Sequence, residues 1–284
     1  MSIAKHTSSY LARLTTVLLA LSCTLPVLAE PQAPEEFTPD RCNQIRSSLP
    51  APPRVAATAL PAKDYRTLKI VNSKLNLGIG HLYPKQAAAN KNWRLTTTLP
   101  LFSEPGDTPF AWIHKGWIID TASGKSVPFS AEGLIGIALQ SPGFIVYELR
   151  DNGWMRIRYS RAQNGVAWTH RCLTSFGKPG LVYKSWATHL QSKKGPLYFR
   201  SRVRHALRAE PSITSNRILW VPAYQENYHF TVVAIKGDWM QIQLSIPSNR
   251  CAAKKHLEVK KYEGWVKWRD DETGSWVWYP LQNC

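Results

Sequence analysis

Two octapeptides 85 residues apart, NGWMRIRY (152–159) and GDWMQIQL (237–244), share a turn, a Trp-Met pair and an alternation of apolar with polar side chains. Period-two alternation sends successive side chains to opposite faces, so each stretch is committed to a half-buried strand and not to an amphipathic helix. The same texture recurs in GFIVYEL (143–149), GVAW (165–168), FTVVAI (230–235), GWVKW (264–268) and SWVWY (275–279). These runs are rich in Val, Ile, Tyr and Trp and are punctuated by Gly, Asp and Asn, which predicts small all-β units. PKQAAANKNW (84–93) has the composition for one short helix.

The echo extends beyond the octapeptides. In the C-terminal copy, HALRAEPSITSNRILWV (205–221) leads to FTVVAIKGDWMQIQL (230–244) and then to EGWVKW (263–268). In the N-terminal copy, TTLPLFSEPGDTPFAWI (97–113) leads to GFIVYELRDNGWMRIRY (143–159) and then to NGVAW (164–168). The shared order is a Glu-Pro turn, an apolar strand, a turn, a Trp-Met strand and a Gly-led final strand. The first copy carries a detour, GWIIDTASGKSVPFSAEGLIG (116–136), before its Trp-Met strand. Unrelated hairpins share one such feature by chance far more readily than three in order, so two copies of one module are expected.

ALRAEPSITSNRI (206–218), followed by VVAIKGDWMQI (232–242) and GWV (264–266), resembles the bacterial SH3-like domain, a small β-barrel of exported and envelope proteins. The resemblance lies in the Pro-containing loop with small polar residues, the Trp after a Gly/Asp turn and the closing Gly-Trp-Val strand. The first copy departs from it: PLFSEPGDTP (100–109) lacks the Leu-Arg start, and Val166 stands where the family has an aromatic residue. The resemblance implies two SH3-like β-barrels in tandem, at 67–178 and 179–284, and a binding or scaffolding role. Some family members bind peptidoglycan; others bind peptides or position a neighbouring enzyme.

The first 29 residues read as a secretory signal peptide. Lys5 and Arg13 supply the basic start, LTTVLLALSCTLPVL (14–28) the apolar stretch, and VLA before Glu30 the cleavage site. Lipoprotein processing at Cys23 ranks behind, because ALSC lacks the bulky residue expected three positions before the cysteine. Residues 30–66 are rich in Pro and Ala and read as an extended tether. No later stretch approaches the roughly 20 apolar residues of a membrane-spanning helix, so an exported, periplasmic protein is expected.

The sequence carries 36 Lys and Arg against 19 Asp and Glu, a formal charge of +17. Export turns this basic field away from nucleic acid and toward acidic envelope material or an acidic protein surface, although charge also serves plain solubility. After signal cleavage Cys42, Cys172, Cys251 and Cys284 remain. An even count in an oxidising compartment predicts two disulfides with three connectivities to choose from. Cys251–Cys284 is preferred because both lie in the last module, which leaves Cys42–Cys172 to tie the tether to the first module.

No catalytic signature emerges. The eight His residues form no HxH or HExxH pattern, and His170 with Cys172 and Cys251 with His256 are only isolated approaches to metal spacing. DTASGKS (120–126) lacks the first Gly of a phosphate-binding loop and reads as a hairpin turn, as does the acidic RDDET (269–273). Neither a cofactor nor a metal is expected, and a binding protein is preferred to an enzyme.

All twelve Trp lie between 93 and 278. Trp154 and Trp239, in equivalent places, are expected to pack the two barrels. The remaining aromatic load points to a binding surface. WVPAYQENYHF (220–230) puts Trp220, Tyr224, Tyr228 and His229 in a segment that the resemblance makes a loop or its edge. Aromatic-lined grooves of SH3-type barrels hold extended peptides, and Arg208 and Arg217 are the accompanying anion contacts. Packing between modules explains the same residues equally well. The expected partner is peptidoglycan or an envelope peptide; the alternative is an acidic protein partner, with this chain as inhibitor, immunity factor or scaffold.

Overall fold

The computed structural model describes residues 38–55, 75–85, 93–130, 134–136, 142–160, 165–176, 180–192, 197–201, 203–223, 228–246 and 258–279. The signal peptide, Cys23, Tyr224, Cys251 and Cys284 lie outside these residues. The fold is mostly β-sheet. None of the helices among the described residues is long and apolar enough to cross a membrane.

The tether contains a helix, α1 (Pro39–Ser47), where the sequence reading expected extended chain. The local signal is Thr38-Pro39-Asp40. The Thr38 hydroxyl accepts from the Arg41 N–H, Pro39 opens the first turn without wasting a donor, and Asp40 faces the positive helix end. Composition alone hid this. Cys42 of α1 is disulfide-bonded to Cys172, with the two Cα atoms 4.9 Å apart. Arg46 donates to the Cys172 carbonyl at 2.8 and 3.0 Å and to the Ser175 hydroxyl.

Ten strands follow: β1 (Gly80–Pro84), β2 (Thr98–Leu101), β3 (Ala111–His114), β4 (Trp117–Asp120), β5 (Ser126–Pro128), β6 (Ile135–Gly136), β7 (Pro142–Leu149), β8 (Trp154–Arg158), β9 (Val166–His170) and β10 (Leu181–Ser185). Then come α2 (Trp186–Ser192), β11 (Tyr198–Phe199), β12 (His205–Arg208), β13 (Arg217–Val221), β14 (His229–Lys236), β15 (Trp239–Ile246) and β16 (Lys260–Lys267). The chain closes with β17 (Arg269–Asp270), β18 (Gly274–Ser275) and β19 (Val277–Trp278). DTASGKS forms the β4–β5 turn and RDDET the β17–β18 turn, as the sequence predicts.

The second copy is a five-stranded antiparallel sheet in the order β13-β12-β16-β15-β14. The first copy has the same order. β3 pairs β2, and Phe102 at the end of β2 exchanges two 2.9 Å hydrogen bonds with Trp168 of β9; β9 pairs β8, and β8 pairs β7. Phe102–Trp168 thus matches Arg208–Trp265. Both meanders carry a bulge at the same place. Val146 faces Ile157 and Glu148 faces Arg156, with Tyr147 extra; Val232 faces Ile242 and Ala234 faces Gln241, with Val233 extra. A shared bulge is a strong sign of one module used twice, because it fixes twist and register together. Among the described residues neither sheet closes into a barrel: β13 and β14 are the ends of their order, while β7 pairs onward with β1, which in turn pairs with β10.

Two details differ from the sequence reading. The division at 178/179 cuts through the first sheet, because β10 pairs with β1 over Gly80↔Ser185 to Pro84↔Leu181. Trp168, not Val166, is the counterpart of Trp265, since the Gly that leads the final strand is displaced by two positions: Ala167 faces Ile157 where Gly264 faces Ile242.

Alternation explains where the Trp-Met strands point. Met155 and Ile157, and Met240 and Ile242, are fully buried, whereas Trp154 and Trp239 are half-buried on the opposite face beside Arg156 and Gln241. The main core is therefore anchored by Met and Ile rather than by these Trp. Trp154 packs edge-on against Phe102 at 5.0 Å and His170 at 5.2 Å, in a satellite cluster covered by Ile45 and Leu49 around α1.

One continuous core joins the halves. Ile145 of β7, Leu77, Trp186 and Leu190 pack with Met240, Ile242, Val266, Trp268 and Trp278. Much of the aromatic load serves this junction, which was one of the two explanations the sequence offered. Trp186 donates from its ring nitrogen to the Leu77 carbonyl at 2.6 Å and meets Trp278 edge-on at 4.9 Å. Each buried indole contributes roughly 2–3 kcal/mol of apolar burial.

Candidate functional site

The sequence-predicted residues do not form one groove. Tyr228 is fully buried: its hydroxyl accepts the Phe199 N–H at 3.1 Å and its ring packs with Tyr198 and Phe230. A solvent-borne ligand has no access to it, which corrects the surface role expected for it; directly before β14, it shares the core side with Phe230. His229 opens β14 opposite Ser245, at the far end of the strand order from β13. Arg208 donates to the Ser215 carbonyl at 2.6 Å, bracing the β12–β13 loop. Trp220 and Arg217 do come together, the guanidinium lying 4.7 Å from the ring centroid. All twelve Trp are described, and Trp220 alone is exposed, at 46%.

A cleft with a volume of about 510 Å³ lies elsewhere, at the junction of the two copies. Arg156 and Arg158 enter it from β8, Tyr147 from the β7 bulge, Asn76 and Gly78 from the segment before β1, and Arg269 from β17. The placement of the arginines follows from alternation: with Met155 and Ile157 inward, positions 156 and 158 must face out. The bulge turns Tyr147 to the rim instead of pairing it.

The cleft floor is rigid. Asn76 donates to the Glu272 carbonyl at 2.6 Å and accepts the Gly78 N–H at 2.6 Å, and Leu77 N–H donates to the Thr273 carbonyl at 3.0 Å. Burial pushes the Asp270 carboxyl pKa up. Hydrogen bonds from the Thr273 N–H and hydroxyl and from the Trp276 ring nitrogen more than offset this and hold it below the usual carboxylate range. Beside it, burial lowers the pKa of Arg200 to about 10; Arg200 donates to the Ser275 and Leu75 carbonyls at 2.5 and 2.6 Å.

The positive groups in the cleft are not equivalent. Arg269 is ion-paired with Asp271 at 2.9 Å and Asp238 at 3.3 Å, although its Nε, like that of Arg158, is buried without a hydrogen-bond partner. Neither Arg156 nor Arg158 has an ion pair among the described residues, and the Nε of Arg158 is buried without a hydrogen-bond partner. An incoming carboxylate or phosphate oxygen can form charge-assisted hydrogen bonds with the guanidinium N–H groups of this pair that face the cleft. Sequence reasoning passed over these two arginines. The signal was present in WMRIRY against WMQIQL: the cations stand where the second copy has Gln241 and Gln243.

No protein-family model matches the chain, and no curated protein matches it in sequence.

Proposed function

We propose that this is an exported, non-catalytic binding protein of two SH3-like modules that holds a carboxylate-bearing envelope ligand, peptidoglycan or an envelope peptide, in the cleft between its copies. The observation that carries the reading is the pair Arg156 and Arg158, outward on β8 in a 510 Å³ cleft and neither with an ion pair among the described residues. The shared strand order and bulge support one module used twice, and the formal charge of +17 favours an acidic ligand by long-range attraction. A second reading, an acidic protein partner, is favoured by the exposed Trp220.

The test is co-sedimentation of the purified protein with insoluble peptidoglycan. Wild type is expected in the pellet, and R156Q/R158Q is expected to lose about ten-fold or more in affinity, since a charge-assisted hydrogen bond contributes roughly 1.5–3 kcal/mol. Added salt is expected to weaken the wild type more than the variant. Wild type left in the supernatant, or a variant that pellets like wild type, overturns the reading.

A further inference from the structure

The two copies treat one strand edge in opposite ways. In the first, β3 pairs with β2 on one side and with β4 on the other, so that Trp112 lies opposite both Pro100 and Ile119. In the second, the counterpart strand β13 pairs with β12 alone among the described residues, with Trp220 opposite Ala206. The register makes Trp112 and Trp220 equivalents: each lies one pair inward from Leu99–Ile113 and from His205–Val221. Their surroundings differ completely. Trp112 is 0% exposed, edge-on to Phe176 and next to the buried Ile119, whereas Trp220 is 46% exposed.

Arg217 and the register shift at Leu207/Arg208 are the only guards on this edge, and both lie at its start. The rest of the strand, Ile-Leu-Trp-Val, contains no Pro and no charge, and Ile218 is also 45% exposed. Arg217 at the strand's start stacks on Trp220 and has no acidic partner among the described residues.

We infer that β13 is a strand-addition site for an extended segment of an acidic protein partner, with an apolar side chain over Trp220 and a carboxylate at Arg217. The occupant's chemistry is read from the first copy. There the strand that completes the edge is Trp-Ile-Ile-Asp (117–120), with Ile119 opposite Trp112 and Asp120 opposite Ala111. Ala111 corresponds to Leu219, so an acid in that place or just beyond it reaches toward Arg217. Main-chain hydrogen bonds to the open edge supply affinity, and the Trp and Arg supply selection. This site goes beyond the cleft and uses none of its residues.

The probe is the blocked octapeptide GWIIDTAS, residues 116–123 of the chain, titrated into the purified protein while heteronuclear NMR follows the β13 amides. Saturable shifts confined to β13 and its flanks are expected. W220A is expected to weaken binding about ten-fold or more, as removal of a central Trp contact usually does. A peptide with Asp replaced by Lys is expected to bind worse to wild type and better to R217E, while R156Q/R158Q binds the original peptide unchanged. Methylation of alternate peptide nitrogens, on the set that faces β13, is expected to abolish binding. Undiminished binding by that methylated peptide, full affinity in W220A, or no shifts at millimolar peptide each overturns the proposal. So does a concentration-dependent wild-type dimer that W220A dissolves, because the edge would then belong to a second copy.

Discussion

Two glycines with left-handed backbone angles separate conformational cost from contact cost. Gly237, with φ +57°, forms the turn before Trp239, and a side chain there meets nothing within 4 Å. Gly274, with φ +69°, lies against the other half: a Cβ would stand 2.5 Å from the Gly78 carbonyl oxygen and 2.7 Å from its nitrogen. Alanine at either position pays the left-handed penalty of roughly 1–2 kcal/mol. At 274 two backbone segments must also separate, which sacrifices the Leu77 N–H to Thr273 carbonyl bond and the Asn76 to Glu272 carbonyl bond. At about 1 kcal/mol net for each hydrogen bond, G274A should lose about 2 kcal/mol more than G237A. For a chain of this size that is a further drop in Tm of about 4–8 °C, readable by calorimetry or circular dichroism. G274A should also relax the cleft, since Gly78 and Gly274 both line it. Equal losses from the two substitutions would refute the reasoning, because the contact across the junction would then contribute nothing.

The Cys42–Cys172 bridge spans 130 residues of sequence, so the chain-entropy model assigns it about 5 kcal/mol, while α1 buries no residue of its own. C42S/C172S should therefore lower Tm by about 10 °C or more and speed proteolysis at 38–55; an unchanged Tm would show that packing alone holds the helix. Burial lowers the pKa of His205 to about 4, and His114 and His170 are likewise lowered, chiefly by burial. The unfolded chain then binds more protons than the folded one between about pH 4 and 6.5, so stability rises with pH through that window and falls on acidification. For His205 the limit is about 3 kcal/mol, and H205F, which keeps the ring on Phe199, should flatten the slope in urea titrations at pH 4.5 and 7. An identical slope in H205F would exclude His205 as its source.

The β-rich fold and the repeat were legible because alternation is local. Any strand bearing Met, Ile and two charges in WMRIR must place them on separate faces. The same rule, taken one step further, puts Trp154 beside Arg156 and Arg158 on the outer face and Met155 inside. The expectation of core-packing Trp weighted hydrophobicity above parity. Tyr228 escaped for the reverse reason: in a segment placed in a loop or its edge by resemblance, it directly precedes β14 and shares parity with the buried Phe230. The module boundary was hidden because β10 pairs with a strand about 100 residues earlier, and single-sequence patterns carry no signal of that partnership. The helix at 39–47 was legible in Thr-Pro-Asp and was obscured by the surrounding Pro and Ala.

The two copies show how one scaffold yields unlike surfaces without changing its core. Met155, Ile157, Val146 and Phe144 match Met240, Ile242, Val232 and Phe230 in register, so the inward faces are held by the demand for close packing. The outward faces carry no such demand and have diverged. In the first copy α1 covers Phe102 and Trp154 and β4 covers Trp112, leaving the arginines of β8 as its accessible chemistry. In the second copy those arginines are Gln241 and Gln243, and the accessible chemistry has moved to Trp220 and Arg217 at the other end of the sheet. The edge at β3 is covered by β4 while its counterpart β13 is open, and the outward face of β8 is cationic while that of β15 carries neutral amides. The two proposed sites, the cleft at β8 and the edge at β13, have no residue in common, which distinguishes the pair from two redundant copies of one binding surface.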